Sequence, residues 1–268
     1  MAVDRNGGNV HNPSERRNNM NTMALGKGKA QLLGAWCGIG YMVTLMVGWW
    51  NIAGFIPPIS PSASAEEVAA LFQSDFTRIR VGMIFVMFSA LIFIPFAAAM
   101  CRELSRIEGG AGVLTFTCAL GGAGNMALSF YPAVWWLAAA FRPERAPELL
   151  MLVNDLSWLQ FIGGLSMYLA MPLSLIGAMF LYGDTKVFPR WAIYLNAWTI
   201  VLELPGQLLF FFHSGPFAWN GIFGLYLPIT AFTAWFVVMF YVMRKSAMQE
   251  IADARNVAPG AAYPAAAH

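Results

Sequence analysis

Apolar residues in this chain form unbroken runs, and the interruptions between them organise it. Residues 30–65, 81–101, 109–141 and 156–183 hold no Asp, Glu, Lys or Arg, and after Arg190 only Glu203 intervenes before Arg244. An apolar helix needs about 20 residues to cross roughly 30 Å of hydrocarbon, so every run is long enough. Gly206, the stretch 211–216 and Asn220-Gly221 split the last run in two. The pattern predicts six spans, at 32–56, 79–101, 111–136, 149–182, 190–213 and 219–243. Backbone groups in lipid must be satisfied internally, which leaves helices or a closed barrel. Unbroken runs lack the alternation a barrel needs. The expected fold is an all-α membrane bundle of six transmembrane helices, residues 30–245.

Outside the spans the chain reads differently. Residues 1–29 are rich in Asn, Gly, Arg and Lys, and 246–268 end in Ala and Pro; both are expected to be disordered cytoplasmic tails. Between the first two spans, Pro57-Pro58-Ile59-Ser60-Pro61 gives a rigid exit. Ser64 with Glu67 then forms a capping box opening a short amphipathic helix. Ala63-Ser64-Ala65 has the spacing of a signal-peptidase site, but the apolar stretch ahead of it, about 25 residues long, exceeds a signal h-region, so no cleavage is expected.

Composition closes off whole classes. The chain is 58% hydrophobic and 11% charged, against about 25% charged in soluble domains. With a net charge of +2 and no basic stripe, a nucleic-acid partner is not expected. Twelve of the 16 Lys and Arg residues fall in the leader, after spans two and six, and between spans four and five. Arg78, Arg80, Arg142 and Arg145 fall on the other side. Positive charge collects in cytoplasmic loops, so both termini are expected inside a bacterial-type inner membrane. The bilayer is one expected partner; a small solute or proton, another membrane protein or a second copy are the others.

Reactive chemistry is sparse. The histidines are His11, His213 and His268, and Cys37, Cys101 and Cys118 form no CxxC motif, so no metal or cofactor is expected. No Walker or GxGxxG loop occurs. Gly164-Leu165-Ser166 in the fourth span, with a histidine downstream, superficially resembles a rhomboid protease. However, Ser166 lies near mid-span and His213 ends the fifth span. At 1.5 Å per residue they sit about 16 Å apart in depth, far beyond the roughly 3 Å a base needs.

The distinctive feature is Glu203, near the centre of the fifth span. A mid-bilayer carboxylate costs about 2.5–3.5 kcal/mol on insertion scales, so such residues usually face a cavity or a partner. Asn196, Thr199, Glu203 and Gln207 are spaced three, four and four apart, one stripe of a helix, and Pro205-Gly206 predicts a break beside the carboxyl. Two readings stand: a solute or proton site, or a cohesive role in which Glu203 bonds Asn125 at similar depth in the third span. Asn125 follows Gly121-Gly122-Ala123-Gly124, a small-residue stretch that predicts a close helix crossing. A second polar group, with Asp155, Asn154, Asn51, His213 and Asn220, gathers at the opposite end among tryptophans. There Asp155 either faces the positive end of its helix or lines a cation vestibule. Spans two and four share Ser-x5-Pro (Ser89/Pro95, Ser166/Pro172), a faint echo of a parallel repeat. The binding candidates are thus Glu203, Asn196, Thr199, Gln207, Asn125 and Asp155. A small-solute transporter or channel is the leading reading, a non-catalytic membrane subunit the alternative, and an intramembrane enzyme on lipid-soluble substrate the third.

Overall fold

A computed structural model describes residues 13–183 and 188–256, with side chains from Asn19 onward. Among them every regular element is helical: α1 (Pro13–Met46), running into a π turn at Val47–Ile52; α2 (Ala65–Glu108); α3 (Val113–Phe141); α4 (Pro147–Gly163); α5 (Leu165–Tyr168); α6 (Ala170–Tyr182); α7 (Arg190–Glu203), running into a 3-10 segment at Leu204–Phe211; and a π turn at Ile222–Tyr226 that opens α8 (Leu227–Asn256). Five stretches are long and apolar enough to cross a membrane: Asn19–Ile52, Ala65–Glu108, Val113–Phe141, Pro147–Tyr182 and Ile222–Asn256. The protein is a polytopic all-α membrane bundle. The predicted span at 190–213 is not one continuous α-helix. It divides into 14 α-helical and 8 3-10 residues, because Pro205 has no N–H to extend the ladder and Gly206 adds no helical preference.

Glycine spacing explains how the long helices approach. A Cβ on Gly34 would meet Ala99 and the Pro95 carbonyl, and one on Gly38 would meet the Phe96 ring. Gly48 and Gly82 pack so closely that a Cβ on Gly82 would also lie 2.7 Å from Ala53. α1 is thereby pressed onto α2, with α8 along its other side. The stretch Gly121–Gly124 behaves as its small residues imply, since a Cβ on Gly121 would lie 2.9 Å from Ala170 and one on Gly124 2.6 Å from Met167. Between these contacts sits an aromatic core of Tyr41, Phe93, Phe96, Phe232, Trp235 and Phe236, all buried, with ring centroids 4.9–6.3 Å apart. Leu91, Phe180 and Trp198 point outward, as residues solvated by lipid chains do.

Several boundaries differ from the sequence reading. Ser64 caps α2 with a reciprocal Ser64–Glu67 box of 2.8 and 3.3 Å, but the amphipathic turn it opens is not a separate helix. It joins the span across a kink at Asp75 (φ −127°, ψ 24°), with Val68, Ala69 and Phe72 buried. The stretches 13–29 and 246–256, expected as tails, are helical. Met243, Ala247 and Ile251, four apart, all face inward. A Cβ on Gly28 would lie 2.7 Å from Ile251, so α1 and α8 continue to pair beyond the apolar stretch. Residues 1–12 and 257–268, with Arg5, His11 and His268, lie outside the described residues, as does Lys186; the side chains of Arg16 and Arg17 are likewise not described. Cys101 and Cys118, far apart in sequence, come within interaction range of each other across α2 and α3.

The two ends of the bundle use charge in different ways. At the end bearing the termini, Arg102 forks onto Glu250 (2.6 and 3.0 Å), Arg106 bonds Glu103 at 2.9 Å, and Ser246 donates to Glu103. Glu108 receives the amides of Leu114 and Thr115 and the Thr115 hydroxyl at 2.6–3.1 Å, a carboxylate seated on the positive end of α3. At the opposite end, Arg80 donates to the carbonyls of Ala140 and Phe141 and Arg145 to that of Ala138. Both cap the negative end of α3.

Candidate functional site

On α7, Asn196, Thr199 and Glu203 are buried on one face, the stripe their spacing implies. Two of the three are used internally. Asn196 donates to the Ala192 carbonyl at 2.7 Å and accepts from the Trp235 indole at 2.7 Å, pinning α7 to α8. Thr199 donates to the Leu195 carbonyl at 3.0 Å, the back-bond that hydroxyl residues make inside helices.

Glu203 differs from both. It is 1% exposed, it is the last residue of α7 before the 3-10 segment, and neither carboxyl oxygen has a hydrogen-bond partner among the described residues. The Asn125 amide, buried in α3, is unpartnered at both ends, so the bond that a cohesive role would require between Glu203 and Asn125 is not formed. Gln207, in the 3-10 segment, leaves its side-chain nitrogen unpaired.

Two residues that the sequence reading did not select complete the group. Tyr168, at the end of α5, is wholly buried with an unpartnered hydroxyl, within electrostatic reach of Glu203 and of Tyr41. Tyr41, on α1, shares a 2.8 Å hydrogen bond with Ser129 of α3, and Asn125 lies beside it. The signal available in the sequence was depth: tyrosines favour the membrane interfaces, and both of these fall mid-span. Buried polar groups are paired in the great majority of cases, and each exception calls for an explanation. Among the described residues the exceptions are Trp49, Asn154, Asn125, Tyr168, Glu203 and Gln207, and the last four come from α3, α5, α7 and the 3-10 segment.

Helix breaks surround the same residues. The fourth span is interrupted at Gly164 and again at Leu169, giving α4, α5 and α6. A Cβ on Gly163 would collide with the Phe210 ring of the 3-10 segment, and one on Gly206 would lie 2.9 Å from Pro228. The interrupted fourth span, the interrupted fifth stretch and the π turn before α8 therefore pack against one another through glycines. A cavity of about 30 Å³, bordered by Tyr41, Ser129, Phe161 and Phe232, lies next to this group, with room for about one water molecule. Glu203 does not line it.

Asp155 belongs elsewhere. It is half-buried beside Asn154 and within electrostatic reach of His213, while Asn154 accepts from the Trp136 indole at 3.4 Å. The ten residues from Glu203 to His213 rise about 15–20 Å, so Asp155 and Glu203 do not share a site. Ser166 and His213 are both exposed, His213 in the loop that bonds Ser62 through its carbonyl, and no protease-like pair exists between them. The echo of spans two and four does not extend to structure either: α2 runs unbroken through Pro95 with Ser89 buried, whereas Ser166 is exposed between two breaks. Among the described residues no three His, Cys, Asp or Glu side chains gather to hold a metal ion. No protein-family model, curated protein or solved structure matches the chain.

Proposed function

We propose that this protein carries a small solute or protons across a bacterial-type inner membrane, both termini facing the cytoplasm, with Glu203 as the group that takes up and releases the proton. The observation that carries the reading is a mid-span carboxyl with no partner, placed where a helix breaks and beside a second unpartnered group, the Tyr168 hydroxyl. Unpaired intramembrane acids tend to mark ion and proton pathways, and discontinuous helices at mid-depth are how many transporters build their sites. α7 and the 3-10 segment together rise about 37 Å, the length of a sixth crossing. The orientation is supported by Lys27, Lys29, Arg102, Arg106, Arg190, Arg244, Lys245 and Arg255 on the terminal side, against four arginines opposite, two of which cap α3.

The carboxyl is sealed at 1% exposure, so carriage requires a second conformation that wets it, opening at the glycine contacts between the broken segments. Proteoliposomes loaded with a pH-sensitive dye and given a transmembrane pH step test the reading. Wild type should dissipate the step, and Glu203→Gln, folded to the same helicity, should not; equal dissipation by both removes the carboxyl from the mechanism.

That same sealing favours a second reading, a non-catalytic membrane subunit in which the bundle is a packing partner. It predicts a stoichiometric companion on mild-detergent purification and no dissipation by the isolated chain.

A further inference from the structure

A cavity lies far from Glu203, at the end of the bundle where α1 begins and α8 ends. It encloses about 650 Å³ between the outer turns of α1, α2, α7 and α8, and Arg106, Trp191, Tyr241, Lys245, Gln249 and Asp253 are among its walls. Its position is set by sequence. The apolar stretch of α2 ends at Arg102, that of α8 at Arg244, and α7 begins at Arg190, so the walls stand where hydrocarbon gives way to headgroups. Trp191 and Tyr241, 49% and 55% exposed, are the residue types that settle at that level. Tyr241 and Asp253 on α8 are twelve residues apart, about 18 Å. The cleft therefore reaches from the edge of the acyl region into water.

Its charges are not random. Glu250 in the wall and the buried Glu103 are held by Arg102 and Arg106, respectively, at 2.6–3.0 Å. Lys245 forms no ion pair among the described residues and neither does Asp253, which lies two turns further along the same helix wall. Facing the cavity, the lining thus offers two cations, Lys245 and the Glu103-bonded Arg106, and two acids, Glu250, which Arg102 holds, and Asp253, nearer the water. A simple anion would meet the cations but be repelled by Asp253. A choline headgroup would satisfy the acid electrostatically but has no N–H to donate to it. We propose that this cleft binds the headgroup of an ethanolamine phospholipid, its phosphodiester against Lys245 and Arg106, its ammonium toward Asp253, and its glycerol and acyl chains descending past Tyr241 and Trp191. The phosphate chemistry is shared with free phosphate, and the cleft's opening beside exposed aromatics selects the lipid. Gly28 matters here because its lack of a side chain lets α1 close on Ile251 and so fixes one wall.

The full chain in nanodiscs of equal parts phosphatidylethanolamine, phosphatidylglycerol and phosphatidylcholine tests this by native mass spectrometry after release into detergent. Wild type should retain the ethanolamine lipid above its share of the bilayer. Lys245→Glu, at an exposed position, should lower that retention by more than the roughly fivefold that loss of one charge gives, and Asp253→Asn should shift the preference to phosphatidylglycerol. Lys245→Gln, the milder change, should fall between wild type and Lys245→Glu. Retention in proportion to bilayer composition, or identical retention by Lys245→Glu and wild type, overturns the proposal. So does displacement of the lipid by millimolar inorganic phosphate, which would assign the cations to a free anion.

Discussion

Glu203 offers a test in which stability and activity should move in opposite directions. Consider Glu203→Met, which keeps the length of the side chain and removes its polar end. The native residue makes no hydrogen bond through either oxygen. A buried polar group without a partner costs about 1–3 kcal/mol, and deleting it here breaks no contact of the polar atoms. A roughly volume-conserving swap in a core costs less than about 1.5 kcal/mol. The balance predicts that Glu203→Met raises the unfolding free energy by about 1–2 kcal/mol, read by steric trapping in bicelles at fixed lipid composition. Glu203→Gln, which retains polar atoms without partners, should change it by less than about 0.5 kcal/mol on the same reasoning. A residue kept for cohesion gives the opposite result. If Glu203→Met loses 1 kcal/mol or more while Glu203→Gln is neutral, the side chain is hydrogen-bonded in the membrane and the argument from an unpaired acid fails. A stabilised variant that no longer dissipates a pH step would show the trade between stability and activity that strained functional sites display.

Two further outcomes follow from the packing and the caps. Gly82→Val places atoms where the Gly48 carbonyl and Ala53 already lie, and should cost at least about 1–3 kcal/mol, the scale of overpacking, measured by the same unfolding assay; an unchanged midpoint would show that α1 and α2 can separate there freely. Glu108 lies past the apolar stretch. Burial pushes its carboxyl upward, but the Thr115 hydroxyl and the amides of Thr115, Leu114 and Gly112 outweigh this and hold it below its ordinary value. Because the folded-state value is the lower one, its contribution is complete above the unfolded carboxylate value, about 4.3, and fades as pH falls through the depressed one. Glu108→Gln should therefore cost about 1 kcal/mol at neutral pH, typical of a lost helix cap, and the gap to wild type should close under acid; a constant gap at every pH would assign the loss to shape rather than charge.

How much of this was legible beforehand depends on whether the signal was local. The charge-free runs locate the membrane helices because the bilayer penalises charge residue by residue. The Ser64–Glu67 box and the Gly121–Gly124 crossing follow from four-residue patterns whose mechanism is contained in the sequence. The stripe of Asn196, Thr199 and Glu203 was visible for the same reason, since helical periodicity fixes a shared face. The partners across that face were not. Trp235 donating to Asn196, and Tyr41 meeting Ser129 at a separation of 88 residues, depend on which helices adjoin, and an apolar alphabet scarcely encodes that. The helical extensions at both ends were hidden by composition: Met243, Ala247 and Ile251 keep a four-residue repeat into a stretch whose charge suggested a tail.

The break at Glu203 ties these levels together. Pro205 alone predicts a kink, and kinks are common in membrane helices because neighbours can satisfy the freed groups. Here two side chains that could do so are themselves unsatisfied: Gln207, one turn on, and Tyr168 at the end of α5, within electrostatic reach of the carboxyl. Glu203 and Asn125 remain apart, Asn196 and Thr199 are already committed to structural bonds, and the space left by Gly163 and Gly206 is filled by the Phe210 ring and by Pro228 of the neighbouring segments. The acid is therefore left without a partner at the point where the α-helical ladder of α7 already gives way, so removing its polar end is expected to relieve an unmet demand and break no bond.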